Sequence, residues 1–263
     1  VDTGIGELNR VLGGGLVRGS LVLISGEPGI GKSTIIIQTA ANIASRGGTV
    51  LYVSGEESEE QIKLRADRVC REIPQNLYVL AETNMENVET ACENSKPDFL
   101  IIDSIQTMYS DQLDSVPGSV SQVRMCGNQL MKLGKTKNIP IFIVAHVTKS
   151  GDLAGPKTVE HLVDCVLNFT GERDQEFRVM RAYKNRFGTT SEIGAFRMES
   201  EGLVEVQDIS ASFLENRDDK AQGSVTTAIY EGSRPVMFEM QALVSPSNIG
   251  FARRTAVGVD NTR

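Results

Sequence analysis

The feature that most constrains this chain is the octapeptide Gly26-Glu27-Pro28-Gly29-Ile30-Gly31-Lys32-Ser33. It lies directly behind the apolar run Leu21-Val22-Leu23-Ile24 and ahead of a helix-forming stretch that begins at Thr34. Strand, glycine-rich loop and helix in this order build a nest of backbone N–H donors for an anion, with the positive end of a helix dipole behind it. The spacing gives the polar residues distinct tasks: Lys32 reaches outer phosphate oxygens and Ser33 supplies a ligand to Mg2+. Gly26, Glu27, Pro28, Gly29, Ile30, Gly31, Lys32, Ser33 and Thr34 are therefore the expected contacts of a nucleotide, ATP or ADP with Mg2+. The competing explanation, a glycine-rich turn in an unrelated fold, is disfavoured by the flanking elements.

Composition bounds the rest. A chain of 263 residues with 40% hydrophobic and 23% charged residues is a soluble globular protein of one large domain, or one domain and a fragment. No apolar run approaches the roughly 20 residues that a membrane helix needs, and no secretory signal opens the chain, so a cytoplasmic location is expected. The absence of an initiator Met and the abrupt end at Asp260-Asn261-Thr262-Arg263 lead us to expect a piece of a longer protein. Cys70, Cys92, Cys126 and Cys165 are widely spaced and form no Cys-x-x-Cys pair, which favours reduced, buried thiols over a metal site or a disulfide framework. The formal net charge of −7 has the wrong sign for coating DNA through bulk electrostatics, so any nucleic-acid contact must come from a few local loops.

Short apolar runs at residues 21–25, 50–54, 99–103, 141–145 and 165–169 are mostly continuous and not alternating, the mark of strands buried on both faces. Helical stretches follow the phosphate loop and occupy 59–72, 84–94 and 119–135. The alternation predicts an α/β fold, a mainly parallel sheet with helices on both faces. Residues 177–184, 193–198 and 203–206 read as a hairpin-rich edge to that sheet. The polar stretch 210–223 reads as a linker between a domain of residues 1–209 and the start of a second one at 224–263, which holds two further strands at 225–230 and 236–244.

The chemistry gathers at strand ends. Asp103 closes the apolar strand Phe99-Leu100-Ile101-Ile102, where an acid holds Mg2+ beside the phosphate loop. Hydrolysis also needs a group that orients or deprotonates water, and the end of the strand at 50–54 offers Glu56 and Glu57. Two adjacent carboxylates cannot both face one water; Glu56 is preferred and Glu57 is the alternative, unless both merely begin an acidic helical turn. His146 ends another strand at the same edge, where a polar side chain could sense the outer phosphate. Lys184 and Arg186 lie two residues apart at a strand end, either as a solvated basic tip or as cations that enter a neighbouring copy's site.

Taken together, the segment from Thr3 to Gly15, the phosphate loop, Val53-Ser54-Gly55-Glu56-Glu57, Ile102-Asp103-Ser104-Ile105-Gln106-Thr107-Met108, the segment from Pro117 to Val123, His146-Val147-Thr148-Lys149 and Lys184-Asn185-Arg186-Phe187-Gly188 resemble the bacterial RadA (Sms) family of RecA-like DNA-repair ATPases. The resemblance runs essentially end to end. It implies a RecA-like P-loop core, a DNA-stimulated ATPase built as a hexameric ring on single-stranded or branched DNA, branch migration in homologous recombination and a recombinase partner. It also implies that Lys184 and Arg186 act in trans. The loops at about 106–118 and 149–158 are implied to face the channel, with Arg124, Lys149 and Lys157 as basic DNA contacts. Members carry an N-terminal four-cysteine zinc module and a C-terminal Lon-protease-like domain; this chain has no zinc pairs, and its tail at 241–258 resembles the start of the second. An alternative in a different class is a nucleotide-gated assembly module that regulates a recombinase or helicase without being a motor. A third, an ATP-dependent protease drawn from the Lon-like tail, would need a serine–lysine dyad in register.

Overall fold

The computed structural model describes residues 1–146, 156–171, 177–214, 223–246 and 255–258. Its elements run α1 (Gly6–Leu12), β1 (Leu21–Gly26), α2 (Lys32–Ser45), β2 (Val50–Ser54), α3 (Glu59–Val69), β3 (Leu77–Ala81), α4 (Met85–Ser95), β4 (Phe99–Asp103), α5 (Val120–Lys137), β5 (Ile141–His146), a 3-10 turn (Pro156–Thr158), β6 (Cys165–Thr170), β7 (Phe177–Asn185), β8 (Ile193–Glu199), β9 (Gly202–Glu205), α6 (Ile209–Leu214), β10 (Ser224–Glu231) and β11 (Arg234–Gln241). They divide into two compact units, Val1–Asp208 with Tyr230–Arg234, and Ile209–Ile229 with Pro235–Arg263.

The first unit is organised by a nine-stranded sheet in the order β3-β2-β4-β5-β1-β6-β7-β8-β9. Neighbours from β3 to β6 pair in parallel, and β6 to β9 pair antiparallel, so the hairpin-rich edge follows the parallel part. The continuous apolar strands β1, β2 and β4 are buried along their whole length. Successive side chains must then serve opposite faces. Val22 and Ile24 enter a core with Ile35 and Ile36 of α2 and Ile62 of α3, whereas Leu21 and Leu23 enter another with Val88 of α4 and Leu130 of α5. Phe99 and Phe142 meet edge to face across β4 and β5, with ring centroids 5.1 Å apart. Each such side chain fully removed from water contributes roughly 1.5 to 3 kcal/mol, and together they fix the strand order that places the loops.

Several elements differ from the sequence expectation. α1 and β3 had no element assigned to them. α1 buries Leu8, Val11 and Leu12 and stops at Gly13, whose φ of 83° is left-handed. β3 is the half-exposed outer strand of the sheet, without the continuous apolar signal of its neighbours. α3 is opened by a capping box, Ser58 with Gln61, and ends at Val69, three residues earlier than expected; Pro74 disfavours helix in the residues before it. α5 runs two residues further, to Lys137, and stops at Asn138 in the left-handed region. The stretch read as a linker opens inside α6, and residues 215–222 lie outside the described residues. β10 and β11 pair in a separate two-stranded sheet, most of whose residues belong to the second unit.

Candidate active site

All of the parallel strands point their carboxyl ends to one rim of the sheet. Strand register sets Gly26 of β1 beside His146 of β5, and Ser54 of β2 beside Asp103 of β4. The phosphate loop leaves β1 at Gly26, where a Cβ would stand 2.5 Å from the Phe169 carbonyl oxygen. Gly29 and Gly31 take φ of 80° and 113°, and above Gly29 a Cβ would meet nothing within 4 Å. No side chain caps α2 at Gly31, so the N–H donors of the first helical turn are left for an anion. Glu27, Pro28 and Gly29 are exposed, Ile30 is buried, and Ser33 and Thr34 are half-buried at the start of α2. The Lys32 ammonium is buried and donates to the carbonyls of Gly26 at 2.7 Å and Glu27 at 3.0 Å. Burial lowers its pKa to about 8, opposed by the carboxylates of Asp103 and Glu56.

Asp103 is buried, and Ser33 Oγ donates to its Oδ2 at 3.0 Å. The Tyr52 hydroxyl, from the adjacent strand, donates to the same oxygen at 2.6 Å. Burial raises the Asp103 carboxyl and the two donors pull it down; burial and the Asp103 charge raise the Tyr52 phenol well above its usual range. A hydroxyl and a carboxylate this close are hard oxygen donors that fit Mg2+, which takes one or two protein ligands and leaves the rest to phosphates and water. Among the described residues there is no group of three or more His, Cys, Asp or Glu able to hold a metal by itself.

Glu56 and Glu57 diverge. The Glu56 carboxylate accepts from Ser104 Oγ at 2.6 Å and lies 3.4 Å from His146 Nε2. His146 and then Ser104 hold its pKa down, to about 2, against the opposing effect of burial. Glu57 turns instead to Arg65 of α3, with which it forms an ion pair, and its backbone is fastened by Ser54 Oγ. Glu56 is thus brought to the site and Glu57 is not. His146 is held by its backbone, whose carbonyl accepts from Gln106 Nε2 at 3.0 Å. Gly55 lets these two loops touch: its N–H reaches the Asp103 carbonyl at 2.9 Å, and a Cβ there would fall 2.0 Å from Thr107 Oγ1.

Lys184 and Arg186 are elsewhere. Because β7 is antiparallel to β6, its carboxyl end lies beside Cys165, at the start of β6 and on the rim opposite the phosphate loop. Lys184 Nζ donates to the carbonyls of Glu160 and Val163, at 2.9 and 2.8 Å. Arg186 pairs with Asp164 at 2.8 Å and is half-exposed. Arg124 on α5 and Lys157 on the 3-10 turn are both exposed, on elements that contact one another. Lys149 lies outside the described residues. The loop at 106–118 is ordered by the buried Gln122, whose amide donates to the carbonyls of Ser110, Leu113 and Ser115 and accepts from Ser110 N.

Tyr52, Ser104, Gln106 and Gln122 were not singled out in the sequence. Tyr52 had a signal: a hydroxyl in a strand apolar on both faces must find a partner when buried. Ser104 and Gln106 sit in a loop and Gln122 in the first turn of α5, and the pairing of all three depends on tertiary closure.

Fold and site define a P-loop ATPase fold of the RecA-like type. The chain belongs to the AAA domain family, whose model matches residues 1–152. It is 55% identical over its whole length to DNA repair protein RadA of Bacillus subtilis (strain 168), and 58% identical over 98% of its length to DNA repair protein RadA of Streptococcus pneumoniae (strain ATCC BAA-255 / R6). The chain spans 57% and 61% of those relatives' lengths. Among solved structures, the crystal structure of the RadB recombinase matches with a TM-score of 0.59 and 20% identity, covering 78% of this chain and 99% of that one. A second solved structure, an ATPase domain, matches with a TM-score of 0.65 and 14% identity, covering 79% of this chain and 91% of that one. At these identities the two establish the fold.

Proposed function

We propose that this chain is the ATP-hydrolysing part of a DNA repair and recombination protein, a cytoplasmic ring motor, hexameric by family resemblance, that acts on single-stranded or branched DNA and promotes branch migration with a recombinase partner. Residues 1–209 form its RecA-like core, 210–223 the linker and 224–263 the start of a Lon-like second domain. The observation that carries the reading is the cluster at the carboxyl rim: the Lys32 loop, the Ser33–Asp103 pair at 3.0 Å and the Glu56 carboxylate beside His146. Bound Mg2+ would neutralise phosphate charge there, with Ser33 and Asp103 holding it. Lys32 and the N–H groups at Gly29 to Thr34 grip the phosphates of ATP. Glu56, kept ionised, orients the attacking water and accepts its proton, and His146 faces the same carboxylate as the sensor of the outer phosphate.

Lys184 and Arg186 cannot reach their own chain's phosphate loop from the far rim, which favours action on a neighbour's nucleotide. An arginine supplied this way is worth about 10^3 to 10^5 in rate. Subunit mixing tests this: Lys32→Ala and Arg186→Ala chains, each inactive alone, should regain DNA-stimulated hydrolysis when combined, because some interfaces then pair an intact loop with an intact arginine. Failure to complement, or an active Arg186→Ala protein, would show that the arginine does not act in trans.

A second reading, a nucleotide-gated module that regulates a recombinase or helicase without being a motor, is favoured by one observation. The loop at 106–118 holds Asp111 and Asp114 and neither lysine nor arginine, so direct DNA contact falls to Arg124, Lys149 and Lys157. Branch extension by the purified full-length protein supports the motor; nucleotide turnover with no strand movement supports the module.

A further inference from the structure

Tyr52 is a phenol between the apolar strand residues Leu51 and Val53, 1% exposed, its ring packed in the core with α2 and α3. Phenylalanine would fill the same space. What the hydroxyl adds is one hydrogen bond, to Oδ2 of Asp103 at 2.6 Å, its only described partner. Ser33 Oγ donates to that same oxygen at 3.0 Å, so both described hydrogen bonds to this carboxylate fall on one of its two oxygens. Two donors converging on Oδ2 from β2 and α2 fix the rotation of the carboxylate, whereas one donor would leave it free to swing about its Cβ–Cγ bond. Ser33 ends the phosphate loop and is half-buried; Tyr52 is anchored in the sheet interior.

We infer that Tyr52 is a positioning residue for Asp103, its hydroxyl holding the carboxylate in the orientation that takes Mg2+ with the nucleotide. The inference rests on the proposed ATPase reading of the site and deepens it: affinity for the metal–nucleotide complex is set partly from the interior of the sheet, through a group that touches neither metal nor phosphate. Outer-shell partners of metal-holding carboxylates act in this way, and their loss costs about 10- to 100-fold in metal affinity or activity.

The test is equilibrium binding of a fluorescent non-hydrolysable ATP analogue to the full-length protein, titrated with Mg2+ and repeated in EDTA, for wild type and Tyr52→Phe. Thermal unfolding is followed in parallel. The expected result is a rise of about tenfold in the Mg2+ concentration at half-maximal binding, with metal-free affinity and the melting temperature of the unliganded protein nearly unchanged. Hydrolysis by Tyr52→Phe should recover toward the wild-type rate at high Mg2+, since orientation and not the ligand itself has been lost. An unchanged Mg2+ midpoint overturns the inference. So does an equal loss of affinity with and without Mg2+, which would make the hydroxyl a part of the fold or of the nucleotide pocket. A variant that melts well below wild type also overturns it. Failure of the ATPase reading looks different: wild type itself would then bind the analogue no better with Mg2+ than without, or Lys32→Ala would bind it as well as wild type.

Discussion

Two adjacent glutamates illustrate what side-chain surroundings decide and residue types do not. Both stand at the end of β2, yet one carboxylate faces Ser104 and His146 while the other is taken by Arg65. Glu56→Gln should therefore lower hydrolysis by about 10^2 to 10^4-fold while leaving nucleotide binding intact; Glu57→Gln should leave the rate within a few-fold. Steady-state turnover and analogue binding on the two variants check this. Lys32 carries a separate prediction. Its pKa is about 8 in the folded chain and 10.5 when unfolded, so between those values the unfolded chain binds more protons and folding stability rises with pH. That rise, up to about 1.4 kcal/mol per pH unit, should disappear in Lys32→Met, and urea midpoints at pH 8 and pH 10 for both proteins measure it. At this scale the phosphate loop and Asp103 were legible from spacing alone, because their motif dictates their place. The choice between Glu56 and Glu57 was not, since it depends on Arg65 and Ser104, which approach from other elements.

At the scale of elements, loops are held by single residues that look ordinary in the sequence. Gln122 sits in the first turn of α5 and joins four hydrogen bonds to the loop before it, three of them to carbonyls. Gln122→Leu leaves Ser110 N and the Ser115 carbonyl without their described partner, while the Ser110 and Leu113 carbonyls keep backbone donors, and we expect a loss of about 1 to 3 kcal/mol with faster amide exchange confined to residues 110–118. Gly55→Ala is expected to be worse than a usual surface change, because the added methyl meets Thr107 at 2.0 Å where two loops cross. Denaturant unfolding should register a loss of about 1 to 3 kcal/mol, and hydrolysis should fall with it, since the crossing also carries Ser104 to Glu56. The inner strands were read nearly to the residue because burial on both faces leaves a continuous apolar signal. The edge strand β3 and the helix α1 carry weaker patterns, half-exposed in one case and only seven residues long in the other.

For the molecule as a whole, the sheet sets two groups of residues at opposite ends of its strands. The phosphate loop crowns one rim and Arg186 the other, so a contact that joins them between copies is head to tail, the kind that closes into a ring or runs on as a filament. Specific hydrolysis should accordingly rise with protein concentration and level off on assembly, and turnover measured across a dilution series together with sedimentation checks it. No helix among the described residues is long and apolar enough to cross a membrane. The four cysteines have a practical consequence. All are free; Cys92, Cys126 and Cys165 are buried with pKa pushed up by burial to about 12, and half-buried Cys70 to about 11. The thiolate is the form that attacks an alkylating reagent, so at neutral pH these four should react slowly with maleimides. A single cysteine engineered onto either rim would take up nearly all of the dye, making the native chain a ready background for distance measurements between labelled copies.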